Sequence, residues 1–224
     1  MQIRTRLRDR KLPNYSRSEE IFHMVSHIVG GVFAIAVLAA CVGLAAARGS
    51  GWALAGGIVY GGAMVVLYAM SSIYHGLSTG IAKKVFQILD HCAVFVLIAG
   101  SYTPILLAAM RERHPAIAWS LFGFVWGATA LCVSLNAVDL RRFQVFSMIG
   151  YIGLGWILIF FTRPLLDSIS VAAYAWMLAG GVLYTIGSVL YMIGKKRKWM
   201  HAVFHIFVVM GSVGHFVCVC LCIR

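Results

Sequence analysis

Seven long apolar runs divide this chain, and the short polar stretches between them are mostly basic. The runs cover residues 21–47, 52–75, 85–110, 115–138, 143–162, 168–194 and 199–223. Each is near or above the ~20 residues that a helix needs to cross a hydrocarbon core of about 30 Å. The connections are only a few residues long, so neighbouring helices are expected to be antiparallel and the bundle compact. The pattern therefore predicts an all-α membrane protein, a seven-transmembrane helix bundle. It has a basic tail over residues 1–20 and a single transmembrane domain over 21–223. Seven spans place the two termini on opposite sides of the membrane.

Composition agrees. The chain is 61% hydrophobic and 12% charged, with a mean hydropathy of +0.88, which excludes an ordinary soluble domain of 224 residues. The net charge of +12 does not point to nucleic acid, because the basic residues sit in short runs between spans. Such runs set orientation and meet lipid headgroups. Fourteen Lys and Arg fall on the N-terminal side, including Lys83, Lys84, Arg141, Arg142 and the run Lys195 to Lys198, against five on the other. This asymmetry predicts a cytoplasmic N-terminus and an outer C-terminus. The basic tail resembles the start of a signal peptide, but the following run is too long for one and reads as a retained first span. A chain of this economy fits an integral plasma membrane protein of the bacterial inner membrane.

Cys41, Cys92, Cys132, Cys218, Cys220 and Cys222 all lie in apolar runs, where they read as small packing residues. The alternating trio Cys218, Cys220 and Cys222 turns about 200° per step on a helix and shares no face. Glycines at four-residue spacing, such as Gly57 and Gly61, allow close helix contact in lipid. Pro104 should kink the third span, with Ser101 and Thr103 placed to satisfy freed carbonyls.

Placing the polar residues by depth is more informative. His75 ends the second run, with Ser71 one turn deeper on the same face. Asp90 and His91 open the third run, and His201 and His205 open the seventh, again on one face. Glu19, Glu20, His23 and His27 mark the start of the first. All lie at the cytoplasmic boundary of the predicted topology. Three imidazoles plus one water form a tetrahedral zinc set with an open position. His75, His201 and His205 supply it if the second and seventh helices are neighbours. Asp90 is then placed to orient a water or accept its proton, and Ser71 to hydrogen-bond it. A carboxylate within a span costs roughly 3 kcal/mol to insert, so a nearby cation or water is expected. Each group also has a plainer use: interfacial histidines hydrogen-bond carbonyls, Asp90 can pair with Lys83 or Lys84, and Ser71 can cap its own helix. His23 and His27 are open between supporting and anchoring roles. His215 lies about 15 Å deeper than His205 at 1.5 Å per residue, too far to share an ion, and is expected to hydrogen-bond in the core.

The segments Ser71-Ser-Ile-Tyr-His75, Leu89-Asp90-His91, Gly100-Ser-Tyr-Thr-Pro104 and His201-Ala-Val-Phe-His205 together resemble the hemolysin III branch of the progestin and adipoQ receptor family. The opening Glu19-Glu20-Ile-Phe-His23-Met-Val-Ser26-His27 is similar to it as well. The resemblance spans essentially the whole chain. It implies seven helices, a cytoplasmic N-terminus, and a zinc ion on His75, His201 and His205 with Ser71 and Asp90 beside its water. Two positions depart from the branch, which usually carries Asn where His23 stands and Thr where Ser26 stands. By a further likeness to alkaline ceramidases, the resemblance implies a zinc-dependent lipid amidase.

Two functions are therefore expected to compete. One is a zinc hydrolase acting on a lipid amide or ester from the cytoplasmic leaflet. The other is a non-enzymatic sensor of membrane state, with zinc as a structural tie. A cytolytic pore should show polar residues running through several spans, whereas here they gather at one side. Membrane lipids are the expected substrate or ligand in either case.

Overall fold

The computed structural model describes residues 5–194 and 197–223. Arg4, Lys195, Lys196 and Arg224, which enter the charge count, lie outside the described residues. Among the described residues, seven helices long and apolar enough to cross a membrane follow one another. They are α1 (Arg17–Arg48), α2 (Gly51–Gly76), α3 (Ile81–Arg113), α4 (Pro115–Asp139), α5 (Gln144–Ser168), α6 (Val171–Gly194) and α7 (Met200–Ile223). All seven expected spans are present, and no strand occurs among the described residues. Large apolar side chains such as Val32, Val145, Phe160 and Val171 stay exposed on the outer faces, as a lipid solvent allows.

The helix ends follow local chemistry. Ser16 caps α1 by accepting from Glu19 N–H, while the Glu19 carboxylate accepts from Ser16 N–H, a reciprocal capping box. Gly49, at φ 68°, ends α1 in the left-handed conformation that glycine adopts without strain. Ser50 then caps α2, and Pro115 opens α4 where its missing N–H is no loss.

The third span changes its hydrogen-bonding pattern at Pro104. After it the chain runs as a π-helical turn over Ile105–Met110. Ser101 donates its hydroxyl to Ile98 C=O at 2.8 Å and Thr103 to Ala99 C=O at 2.8 Å. The Trp126 indole of α4 donates to the Thr103 hydroxyl at 3.2 Å. The fifth run extends beyond its expected end at 162. It tightens to a 3-10 turn over Ile157–Phe161, then resumes as α-helix over Thr162–Ser168, with Pro164 early enough to cost little.

α1 packs along α2, α2 along α3 and α6 along α7, and α1 also meets α7. α2 and α7 touch, so the neighbour relation that the ligand set needed is present. A buried hydroxyl knot ties three helices: Tyr68 of α2 and Tyr184 of α6 both reach Ser212 Oγ of α7, at 2.7 and 2.8 Å. α3 is the most enclosed span and α5 among the least, which leaves room between α3, α5, α6 and α7. Among the described residues no disulfide forms, and Cys41, Cys92, Cys132, Cys218 and Cys222 are buried, consistent with packing.

Glycine sets how closely the helices approach. A Cβ on Gly56 would stand 2.7 Å from Pro104 Cα, and one on Gly61 2.7 Å from Leu38 Cα. Both neighbours are backbone and cannot swing away. Gly61→Ala is therefore expected to destabilise the bundle by about 1–3 kcal/mol, read as a lower unfolding temperature in detergent.

Candidate metal centre

The site forms where the starts of α1 and α7 meet the end of α2. Glu19 fixes the first two elements. Besides capping α1, its second oxygen accepts the Trp199 N–H at 2.8 Å. Trp199 stands just before α7 with φ 65°, a left-handed conformation that is costly for a bulky residue. The buried carboxylate thus holds the turn that aims His201 and, one helical turn later, His205. Glu20, the next residue, acts on α2. Its carboxylate accepts from His75 Nδ1–H at 2.6 Å and pairs with the buried Lys83 ammonium at 2.9 Å. Lys83 also donates to Leu77 C=O at 3.0 Å, so α1, α2 and α3 are joined here.

Four imidazoles converge inside this frame. The His23 ring centre lies 4.7 Å from that of His75, 4.6 Å from His201 and 5.0 Å from His205. His75 lies 5.4 Å from His201 and 5.2 Å from His205. All four residues are buried. One ring nitrogen each from His23, His75 and His201 falls within 4.8 Å of the others, and the Nε2 atoms of His201 and His205 are 3.1 Å apart.

The hydrogen bonds decide which nitrogens are free to donate a lone pair. The Glu20 carboxylate, paired with Lys83, accepts the proton on His75 Nδ1 and leaves Nε2 as a lone-pair donor without a partner. The Ser26 hydroxyl donates its one proton to His23 C=O at 2.9 Å, so at 3.2 Å it accepts from His205 Nδ1–H. His205 Nε2 is then a lone pair as well, facing His201. A carboxylate or hydroxyl on the outer nitrogen of each imidazole is how metal-ligating histidines are oriented. Several nitrogens of this buried cluster have no hydrogen-bond partner: both of His23, Nε2 of His75 and Nδ1 of His201. Unpartnered buried polar atoms are costly, and a shared cation offsets that cost for those aimed at it. On these grounds the residues fit a transition-metal ion of the nitrogen-preferring kind, such as zinc.

The tail covers the cluster. Tyr15 stacks on His201, with ring centres 5.1 Å apart and planes at 14°, and meets His23 edge-on at 5.0 Å. Burial raises the Tyr15 phenol well above its ordinary pKa, so the ring stays neutral. Thr5 N–H donates to the Asp139 carboxylate at 2.8 Å, which anchors the tail to the end of α4.

Below the histidines a cavity of about 150 Å³ runs between α3, α5, α6 and α7. Its walls are mainly apolar. Asp90, Ser71, His201 and His205 lie at one end, and His215 further in. Ser71 lies alongside the Asp90 carboxyl. Asp90 keeps 16% of its side chain accessible, because it borders the cavity. Lys83 is engaged with Glu20, while Asp90 lines the cavity with Ser71 and lies 3.8 Å from His91 Nδ1.

Of the five residues selected from sequence, His201, His205, Asp90 and Ser71 line this cavity, and His75 joins the imidazole cluster above it. His27 stacks on His205 at 3.7 Å and 20°, a supporting contact. His91 turns aside to Tyr191, and His215 stacks on Tyr184 at 5.3 Å instead of hydrogen-bonding through Nδ1, which has no partner. Sequence reasoning left Glu19, Glu20 and His23 without an assigned role, offered Lys83 only as a pair for Asp90, and missed Tyr15. His23 could have been found from its spacing, since it lies four residues before His27 on one helical face. Exchanging Glu20 for Gln is expected to weaken metal binding ~10–100-fold, because the hydrogen bond that orients His75 loses its charge, and to lower the stability of the bundle, because Lys83 is left buried without its counter-charge. Zinc titration in detergent measures this.

The sequence model described as Haemolysin-III related matches residues 15–216, from Tyr15 to beyond His215. The chain is 33% identical over 205 residues to "Hemolysin-3 homolog" of Bacillus subtilis, covering 92% of this chain and 94% of that one. It is also 33% identical over 201 residues to "Hemolysin-3" of Bacillus cereus, covering 90% of each. A more distant likeness, 26% over 192 residues, links it to the "Adiponectin receptor protein" of Drosophila melanogaster, covering 71% of this chain and 41% of that protein. With seven helices that can span a membrane and a match that runs through every segment of the site, the chain is an integral bacterial plasma membrane protein that belongs to the Haemolysin-III related family.

Proposed function

We propose that the protein is a metal-dependent hydrolase that cleaves a lipid amide or ester delivered from the cytoplasmic leaflet. One observation carries this: His201 and His205 of the imidazole cluster line the same apolar cavity that Asp90 and Ser71 border. His75, His201 and His205 would hold the ion, with Glu20 and Ser26 orienting two of them. When bound, a divalent ion there supplies Lewis acidity toward water and a carbonyl.

The chain's own groups do the rest. The cavity walls take an acyl chain and exclude water from it. The Ser71 hydroxyl donates to a carbonyl oxygen of the substrate. Asp90, in the same end of the cavity, orients the attacking water and takes its proton. Lys83 and Glu20 keep the cluster from drifting, because each satisfies the other. The cytoplasmic placement follows from the excess of basic residues on the N-terminal side.

A second reading is a non-enzymatic protein in which the ion only ties α1, α2 and α7. It draws on the fourth buried imidazole, which a site with an open position does not need. Fatty-acid release from a ceramide and from an ester lipid, by purified protein in mixed micelles, separates the two. The hydrolase releases fatty acid, loses that activity on chelation and regains it with added zinc. A protein that holds its metal but turns over neither lipid class supports the structural tie.

A further inference from the structure

His23 is placed at the centre of the cluster and is used by none of the steps above. It is fully buried, and its ring centre lies within 5.0 Å of those of His75, His201 and His205. Neither of its nitrogens has a hydrogen-bond partner, although its own backbone C=O is engaged by Ser26. A structural imidazole buried this way normally spends at least one nitrogen on a carbonyl, hydroxyl or carboxylate. The same first turns of α1 offer such groups. Glu19 and Glu20 are committed elsewhere, to Trp199 and Ser16 and to His75 and Lys83. One His23 nitrogen instead falls within 4.8 Å of nitrogens on both His75 and His201.

We propose that His23 is a fourth protein ligand to the ion, so that at rest the metal is held by imidazoles from α1, α2 and α7. This rests on the metal reading of the same site and goes beyond it. Three imidazoles leave a position open for a reacting molecule, whereas four fill a tetrahedral sphere. His23 therefore decides whether the centre is open or closed at rest. In a hydrolase it must yield its place, or be joined by a fifth donor, before a carbonyl is engaged. Tyr15, edge-on to His23 and stacked on His201, packs over both rings and supports the closed arrangement.

The test uses the full-length protein in detergent, loaded with zinc or with cobalt(II) as a spectroscopic stand-in. X-ray absorption of the zinc form is expected to show four imidazole nitrogens in the wild type. In His23→Asn it should show three, with an oxygen in place of the fourth, and zinc affinity should fall on the order of tenfold or more. The visible spectrum of the cobalt form should shift between the two proteins. His23→Phe, which keeps a ring in the buried space, should bind metal as weakly as His23→Asn and so guards against a loss caused by packing. A wild-type ion with three imidazoles and an oxygen, unchanged in His23→Asn, overturns the role of His23 and leaves the three-ligand centre standing. A wild-type protein that binds neither metal overturns both.

Discussion

His201→Ala is expected to strip the protein of tightly held metal and abolish lipid hydrolysis, with His75→Ala close behind. The reason is in the hydrogen bonds. His201 faces His205 Nε2 at 3.1 Å and lies in the group whose nitrogens fall within 4.8 Å. Removing either ligand costs more than the ~10–100-fold in affinity that follows loss of a merely orienting partner. His75 is also the residue through which Glu20 and Lys83 connect to the cluster, so its loss frees a buried ion pair from its third member. Dialysis followed by elemental analysis reads the metal loss. The variants should retain their helical content, since the seven spans are held by glycine contacts and by the hydroxyl knot on Ser212, away from the site.

The second large effect is expected at Asp90. Asp90→Asn keeps the size and the neighbour Ser71 but removes the base, so hydrolysis should drop about 10²–10⁴-fold. Metal content should stay at the wild-type level, because Asp90 borders the cavity and is not one of the converging donors. The effect should fall on kcat, with KM nearly unchanged, since the acyl chain is held by apolar walls. A variant that loses its metal as well would make Asp90 a ligand and remove the basis for its role as a base. Measured turnover at saturating lipid, together with metal content on the same sample, separates the two outcomes.

Much of the fold was legible because a membrane leaves the chain few choices. Runs of apolar residues long enough to cross had to become helices, since only a helix satisfies its own backbone in lipid. The spans were therefore found to within a few residues at most ends, and the fifth missed its last turn because Arg163 and Asp167 interrupt the apolar pattern without ending the helix. The convergence of His75, His201 and His205 was also legible, from shared depth and helical spacing. Depth does not give azimuth, however. Whether His23 pointed inward or toward lipid depended on how α1 rotates against α2 and α7, which is set by contacts such as Gly61 on Leu38 and Glu19 on Trp199. His215 was assigned a hydrogen bond because buried imidazoles usually have one. The close approach of Gly180 lets it stack on Tyr184 instead. Tyr15 lay in what read as a basic tail, and nothing in its sequence context distinguished a ring folded over the site from one in solvent.

The metal content of the purified wild-type protein, counted per chain by elemental analysis after dialysis without added metal, is the measurement on which all of this turns. The imidazole geometry calls for close to one zinc-class ion per chain, and for its disappearance in His201→Ala. A folded wild-type protein that carries no such ion, and takes none up when zinc is supplied, would show that the four buried histidines serve another purpose.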